Sequence, residues 1–272
     1  MPHPKNAMEV FQVLDKSNCR DCGEKTCLAF AGKVFTRQKK IHECPRLDAA
    51  VAARFADGDG PPPSVEENRE DHLAMLRDQI RSTDLAAAAL RIGATYANGK
   101  LTLKILGKNF SVSSQGVLSA DIHVNPWVAA PFLDYVLNGR GMEPTGDWVS
   151  FRELKEGAER YPLFQKRCEE PLKGVADTYT GLFDDMVHIF GGKQVEKQFQ
   201  SDISVVLHPL PRVPIMVCYW LPEEGLASTL NLFFDRSADA NLSIGSLFSL
   251  ASGLALMLSR LALRHGFFET QE

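Results

Sequence analysis

Four cysteines near the amino terminus constrain this chain more than any other feature. Cys19, Cys22, Cys27 and Cys44, the last followed by Pro45, are spaced C-x2-C-x4-C-x16-C-P. Four thiolates satisfy either a tetrahedral zinc ion or a cubane iron–sulfur cluster. A C-x2-C pair reaches two corners of one site across a tight turn, and Gly23 directly after it permits close backbone approach. Cys27 falls at the start of an expected helix, where amide N–H groups and the dipole favour an anionic thiolate cluster. The fourth ligand returns from a distant position, and Pro45 keeps the chain from running on as helix. Structural zinc favours paired short-spaced knuckles, which the x16 split departs from, so spacing leans towards iron–sulfur with zinc as the alternative.

The rest of the composition is that of a soluble globular chain: 272 residues, 44% hydrophobic and 24% charged. Lys+Arg 30 against Asp+Glu 34 gives a net −4, which argues against a dedicated nucleic-acid binder. Six cysteines are too few for a disulfide scaffold. The opening MPHPKNAMEVF shows no apolar signal region, so a reducing cytoplasm is expected. Charge is uneven: residues 1–60 carry ten Lys/Arg and eight Asp/Glu, the remainder 20 and 26. Lys33, Arg37, Lys39, Lys40 and Arg46, against Glu43 alone, form a cationic strip. It reads as a solvated helix end, as compensation for an anionic cofactor, or as a docking face near Lys33, Arg37, Lys39 and Lys40 for an acidic redox partner.

Ala56-Asp-Gly-Asp-Gly-Pro-Pro-Pro-Ser64 breaks the chain, because Gly and Pro at that density cannot continue a helix. The expected organisation is a small cluster-binding module over 1–55, a linker over 56–64 and a larger domain over 65–272. In the module, Met8, Phe11 and Leu14 recur at helical spacing, and Thr26 can cap a second helix through Phe35. So small a core needs a staple such as a metal centre. In the larger part, helices are expected over 65–81, 84–92 (Asp84 as cap), 127–137 and most of 162–190. Residues 101–106 and 110–114 read as a hairpin; 148–151, 203–208, 213–220 and 230–235 read as strands. The fold class is therefore α+β, a helical four-cysteine module followed by a domain with a mainly antiparallel sheet. The apolar helix from Ile244 to about Arg264 is cut short by Arg260 and reads as a core helix rather than a membrane span.

The run Asn18-Cys-Arg-Asp-Cys-Gly-Glu-Lys-Thr-Cys-Leu-Ala-Phe-Ala-Gly-Lys33, with Cys44-Pro45, resembles the [4Fe–4S] domain of the corrinoid iron–sulfur protein large subunit and of the Rnf-complex B subunit. The resemblance covers about residues 8–48. It implies Cys19, Cys22, Cys27 and Cys44 as ligands of one cubane with no open iron site, and Thr26, Phe30 and Ala31 as capping and packing residues. It stops at the linker. The cobalamin pattern D-x-H-x-x-G has a near miss at Asp121–Pro126, with Pro in place of the needed Gly, and is read as chance. Residues 70–265 instead resemble a family known only as a domain of unknown function (family 3786), through Gly146-Asp-Trp-Val-Ser-Phe-Arg-Glu-Leu154, Leu210-Pro-Arg-Val-Pro-Ile215, Tyr219-Trp220 and Leu232-Phe-Phe-Asp-Arg-Ser-Ala238. That likeness implies a fold unit and supplies no reaction.

Outside the cysteines the signals are weaker. His208 reads as a satisfied histidine at a strand end; Asp202, Asp235, Glu223 and Glu224 as turn or helix caps; Cys218 as a core side chain. Phosphate-loop, dinucleotide, haem-attachment, zinc-protease and nucleophile-elbow signatures are absent. The expected function is a cytoplasmic iron–sulfur protein of an anaerobe that carries electrons or assists a redox system, linked by the resemblance to corrinoid or one-carbon metabolism. The alternatives are a cluster-fed enzyme whose pocket uses His208, Asp235 and Trp220, and a metal-stabilised binding or sensor module.

Overall fold

A computed structural model describes residues 7–36, 38–52, 65–121, 124–179 and 181–269. The linker at 56–64, Arg37, and Ile122–His123 of the cobalamin near miss lie outside the described residues. The chain divides into two compact units, Met1–Arg69 and Glu70–Glu272.

In the first unit, α1 (Ala7–Val13) and α2 (Cys27–Phe35) pack together, followed by a 3-10 turn (Ile41–Glu43) and α3 (Ala49–Ala52). Val10 and Leu14 meet Phe30, Ala31 and Val34, which recur at helical spacing on one face of α2, and Ile41 closes the mini-core. Thr26 starts α2 as expected, its hydroxyl accepting from the Ala29 N–H at 3.0 Å.

The second unit begins within α4 (Val65–Arg81). Asp84 accepts from the Ala86 and Ala87 N–H groups to start α5 (Leu85–Ile92), and Gly93 ends it at φ +73°. A four-stranded antiparallel meander follows: β1 (Thr95–Ala97), β2 (Lys100–Ile105), β3 (Lys108–Ser113) and β4 (Leu118–Ala120). Strict alternation along β2 and β3 sends Leu101, Leu103, Ile105, Phe110 and Val112 to the core, where Phe110 meets Phe132 of α6 (Pro126–Asn138). The second sheet is antiparallel, ordered β5-β9-β8-β7-β6, from β5 (Trp148–Ser150), β6 (Lys193–Gln194), β7 (Ile203–Leu210), β8 (Val213–Trp220) and β9 (Thr229–Asp235). The remaining helices are α7 (Tyr161–Phe164), α8 (Glu170–Thr178), α9 (Leu182–His188), α10 (Ala238–Asn241) and α11 (Ile244–Glu269). The architecture is α+β.

One stripe of α11, Leu247, Leu250, Leu254 and Leu258, is fully buried against α6 and α8. Gly253 lets Trp127 lie on this helix, since a Cβ there would fall 2.2 Å from the indole ring. Its Ile244–Leu263 stretch is long and apolar enough to cross a membrane by length and composition, and 44% of its apolar window is buried inside the unit.

The structure departs from the expected elements in three places. The helical stretch expected over 162–190 is α7, a π-turn (Gln165–Glu169), α8 and α9. Helix α8 ends because Tyr179 turns extended and its ring folds over Gly181, with its hydroxyl bonded to Asp185. Strand β7 runs past His208 to Leu210, with a register shift between Leu207 and Leu210 that accommodates Pro209. The two- to four-residue elements β1, β4, β6 and α10 carry too few residues to show a period.

Candidate metal centre

Cys19, Cys22 and Cys27 are placed by a tight loop and the helix that follows it, and Cys44 by the end of the 3-10 turn Ile41–Glu43. Lys16, Asn18, Arg20 and Gly23 all adopt positive φ (62°, 52°, 69° and 79°). That conformation is free for Gly and tolerated by Asn, but costs about 1–3 kcal/mol at other residues. The surrounding bonds hold it. The Gly23 N–H donates to the Arg20 carbonyl at 2.8 Å, closing the Cys19–Cys22 turn. The Cys27 N–H donates to Asn18 Oδ1 at 2.8 Å, tying the loop to the first residue of α2. Two first-turn amides, those of Cys27 and Ala29, are thus satisfied by Asn18 and Thr26, so α2 offers its dipole more than open donors.

Ion pairs fasten the returning segment across this loop. Lys39 donates to the Cys22 carbonyl and lies 3.6 Å from Glu24 and 3.7 Å from Glu43. Lys33 pairs with Glu24 at 2.7 Å. Arg46 reaches Asp21 at 3.0 Å and Asp15 at 3.6 Å. A hydrogen bond from the Cys19 thiol and another from Arg46 hold the Asp21 carboxyl below the usual range, and Lys33 does the same for Glu24. Of the cationic strip expected over residues 33–46, Lys33, Lys39 and Arg46 make ion pairs within the module, and Lys40 is exposed.

All six cysteines are free thiols. Cys27 and Cys44 are buried in the mini-core, Cys22 packs against it, and Cys19 is half-exposed. The structure thus brings the four residues to one loop and one core. Among the described residues, no three His, Cys, Asp or Glu side chains are gathered into a group that could hold a metal ion. Four thiolates repel one another unless cationic charge lies between them, so closing such a set is coupled to binding. The donor chemistry fits an iron–sulfur cluster: four free sulfurs, two sheltered and two near the surface, amid a cationic surround.

The other candidates are spread along the strands and turns of the second unit. Asp235 is fully buried and consumed. Its Oδ1 accepts from Thr145 N and Oγ1 and from Ser237 N and Oγ, and its Oδ2 from Gly146 N. Arg236 pairs with Asp147 across the same β5–β9 junction. Asp202 accepts from the Leu221 N–H, Glu223 sits in a tight turn with Leu226, and Glu224 is exposed in the same loop. His208 lies within β7, half-buried, and its carbonyl accepts from the Leu106 N–H. Trp220 ends β8 beside Met216 and Cys218. Cys168 and Cys218 are buried core thiols, and burial raises the pKa of both.

Two groups escaped sequence reasoning. Arg212 donates to the carbonyls of Arg91 (2.7 Å) and Gly141 (2.8 Å), and Arg91 in turn donates to the Val136 and Leu137 carbonyls at the end of α6. Glu169, on the π-turn, accepts from the Leu232 N–H at 3.0 Å, which the three-residue β5 stops short of pairing. A Glu-Glu-Pro run gives no signal that its first carboxylate is buried.

These features describe an iron–sulfur module joined to an α+β unit. The FeS family, an iron–sulfur cluster domain, matches residues 14–46 and contains all four cysteines. The chain belongs to the family described as a domain of unknown function (DUF3786), which matches residues 84–257. Over 57 residues it is 40% identical to the acetyl-CoA decarbonylase/synthase complex subunit gamma of Methanopyrus kandleri, covering 21% of this chain and 12% of the relative. The corresponding subunit of Methanocaldococcus jannaschii is 40% identical over 81 residues, 30% of this chain and 14% of the relative. The corrinoid/iron-sulfur protein large subunit of Moorella thermoacetica is 31% identical over 113 residues, 38% of this chain and 25% of the relative. The chain therefore spans an eighth to a quarter of the length of these curated relatives. No solved structure matches it.

Proposed function

We propose that the chain is a one-electron redox protein of an anaerobic cytoplasm, holding one [4Fe–4S] cluster through Cys19, Cys22, Cys27 and Cys44. The observation that carries this reading is the placement of four free thiols on one loop and mini-core fastened by Lys39 and Arg46. When bound, the cluster supplies a one-electron couple. Cys27 and Cys44 anchor it in the apolar core and exclude water, and Cys19 and Cys22 face the rim. Lys39 holds the Cys22 backbone, and Arg46 holds the segment carrying Cys44 against the loop. The likeness to corrinoid and acetyl-CoA decarbonylase/synthase subunits supports a place beside such machinery and a protein partner. Reductive titration of oxygen-free protein, followed by EPR, tests the reading. Uptake of about one electron per chain, with bleaching of a broad visible band and a spin-half signal, is the expected result. A colourless protein that takes up no electron overturns it.

A further inference from the structure

The acidic residues between Asp15 and Arg46 are all paired. Between residues 15 and 46 there are eight Lys/Arg and four Asp/Glu. Asp15 and Asp21 are paired with Arg46, Glu24 with Lys33 and Lys39, and Glu43 with Lys39. Among the described residues this leaves Lys16, Arg20, Lys25 and Lys40 without an ion pair, all four exposed. Lys16, Arg20 and Lys25 ride on the cysteine loop itself, and the strained φ at Lys16 and Arg20 is held there by the bonds around it. Leu28, the residue after Cys27 and three positions on from Lys25, is 50% exposed. The two cysteines nearest the surface, Cys19 and Cys22, lie within this basic stretch.

We infer that the rim of the cysteine loop, Lys16, Arg20 and Lys25 around exposed Leu28, is the surface on which an acidic redox protein docks. This rests on the cluster reading above. A cubane with four thiolates is a dianion, and a trianion when reduced. Over residues 15–46 the excess of four cations outweighs either charge, so the cysteine-bearing stretch stays net positive in both redox states. Unpaired positive charge together with an exposed apolar side chain steers an acidic surface to the edge where the cluster lies closest to solvent. The face differs from the 33–40 strip, whose Lys33 and Lys39 are neutralised within the module. In the transfer itself, one electron leaves the reduced cluster and one enters the acceptor's oxidised flavin, with any proton drawn from water.

The test follows oxidation of the dithionite-reduced full chain by stopped flow, with a small acidic flavodoxin as acceptor and hexaammineruthenium(III) as a cationic one. The variant Arg20→Glu/Lys25→Glu is compared with Lys100→Glu/Lys104→Glu, which makes the same charge change on exposed β2 side chains. At low ionic strength the loop variant should slow flavodoxin reduction about tenfold or more and speed reduction of the ruthenium complex, with both differences collapsing at high salt. The β2 variant should stay within about twofold of wild type. If the loop variant loses iron, Lys16→Glu, a single change on the N-terminal side of Cys19, should still slow flavodoxin by about threefold. Equal effects from both charge-reversed pairs, or none from the loop pair in protein with its cluster intact, overturn the docking face. Wild-type protein without a reducible cluster overturns the proposed function and the docking face together, and its lack of colour separates that outcome from the first.

Discussion

Asp235 is where two of the sequence's signature stretches meet. It gathers donors from Thr145, Gly146 and Ser237, so Asp235→Ala should orphan several of them and cost the large unit about 3–4 kcal/mol in urea unfolding. Burial pushes this carboxyl up, but hydrogen bonds from Ser237, Thr145 and Gly146 outweigh it and hold its pKa below the ordinary 3.8. Its stabilising contribution is present above pH 3.8 and is lost as pH falls through the lowered folded value. Acid unfolding should therefore be less steep in Asp235→Asn. Glu169 has the opposite sign. Burial raises it above 4.5, so its contribution is lost as pH rises from 4.5 through the folded value. Glu169→Gln should gain stability relative to wild type at pH 8 and little at pH 4, while Glu169→Ala should lose about 1–3 kcal/mol by orphaning the Leu232 N–H. The capping role of Asp235 was legible from its place after a strand. That of Glu169 was not, because burial there depends on where β5 ends, a non-local fact.

At the scale of elements, what the sequence made visible were the features with local causes. Thr26 and Asp84 start helices because a short side-chain oxygen reaches back to first-turn amides, and β2–β3 and β8 follow apolar alternation or runs. What it hid were features set by distant partners: the π-turn, the break at Tyr179, and the two-arginine knot under Leu210-Pro-Arg-Val-Pro. Gly141 is required by that knot, with φ +72° and a hypothetical Cβ 1.9 Å from the Arg91 carbonyl. Gly141→Ala should destabilise the large unit by about 3 kcal/mol or more, read as a lowered melting temperature. In the module, Thr26→Ala should cost about 1 kcal/mol by removing the hydroxyl that caps α2, measured as faster amide exchange over residues 27–35.

At the scale of the whole molecule, the four-cysteine pattern made the chemistry of the first unit legible, while nothing comparable marks the second. A ligand set needs a few residue types at fixed spacing, and those are written locally. The second unit's signature residues are instead spent joining elements far apart in the chain, such as Asp235 to Thr145 and Arg212 to Arg91. Each unit has its own core. Cys22→Ala should accordingly abolish stable cluster occupancy and loosen residues 8–48, leaving the melting transition of the large unit in place.

The most direct test of the central claim is iron, zinc and acid-labile sulfide per chain in protein purified without oxygen, for wild type and for Cys22→Ala. A cubane on Cys19, Cys22, Cys27 and Cys44 predicts about four iron and four sulfide in wild type and a large loss of both in the variant. One zinc with no sulfide would contradict it and make the four cysteines a structural zinc site.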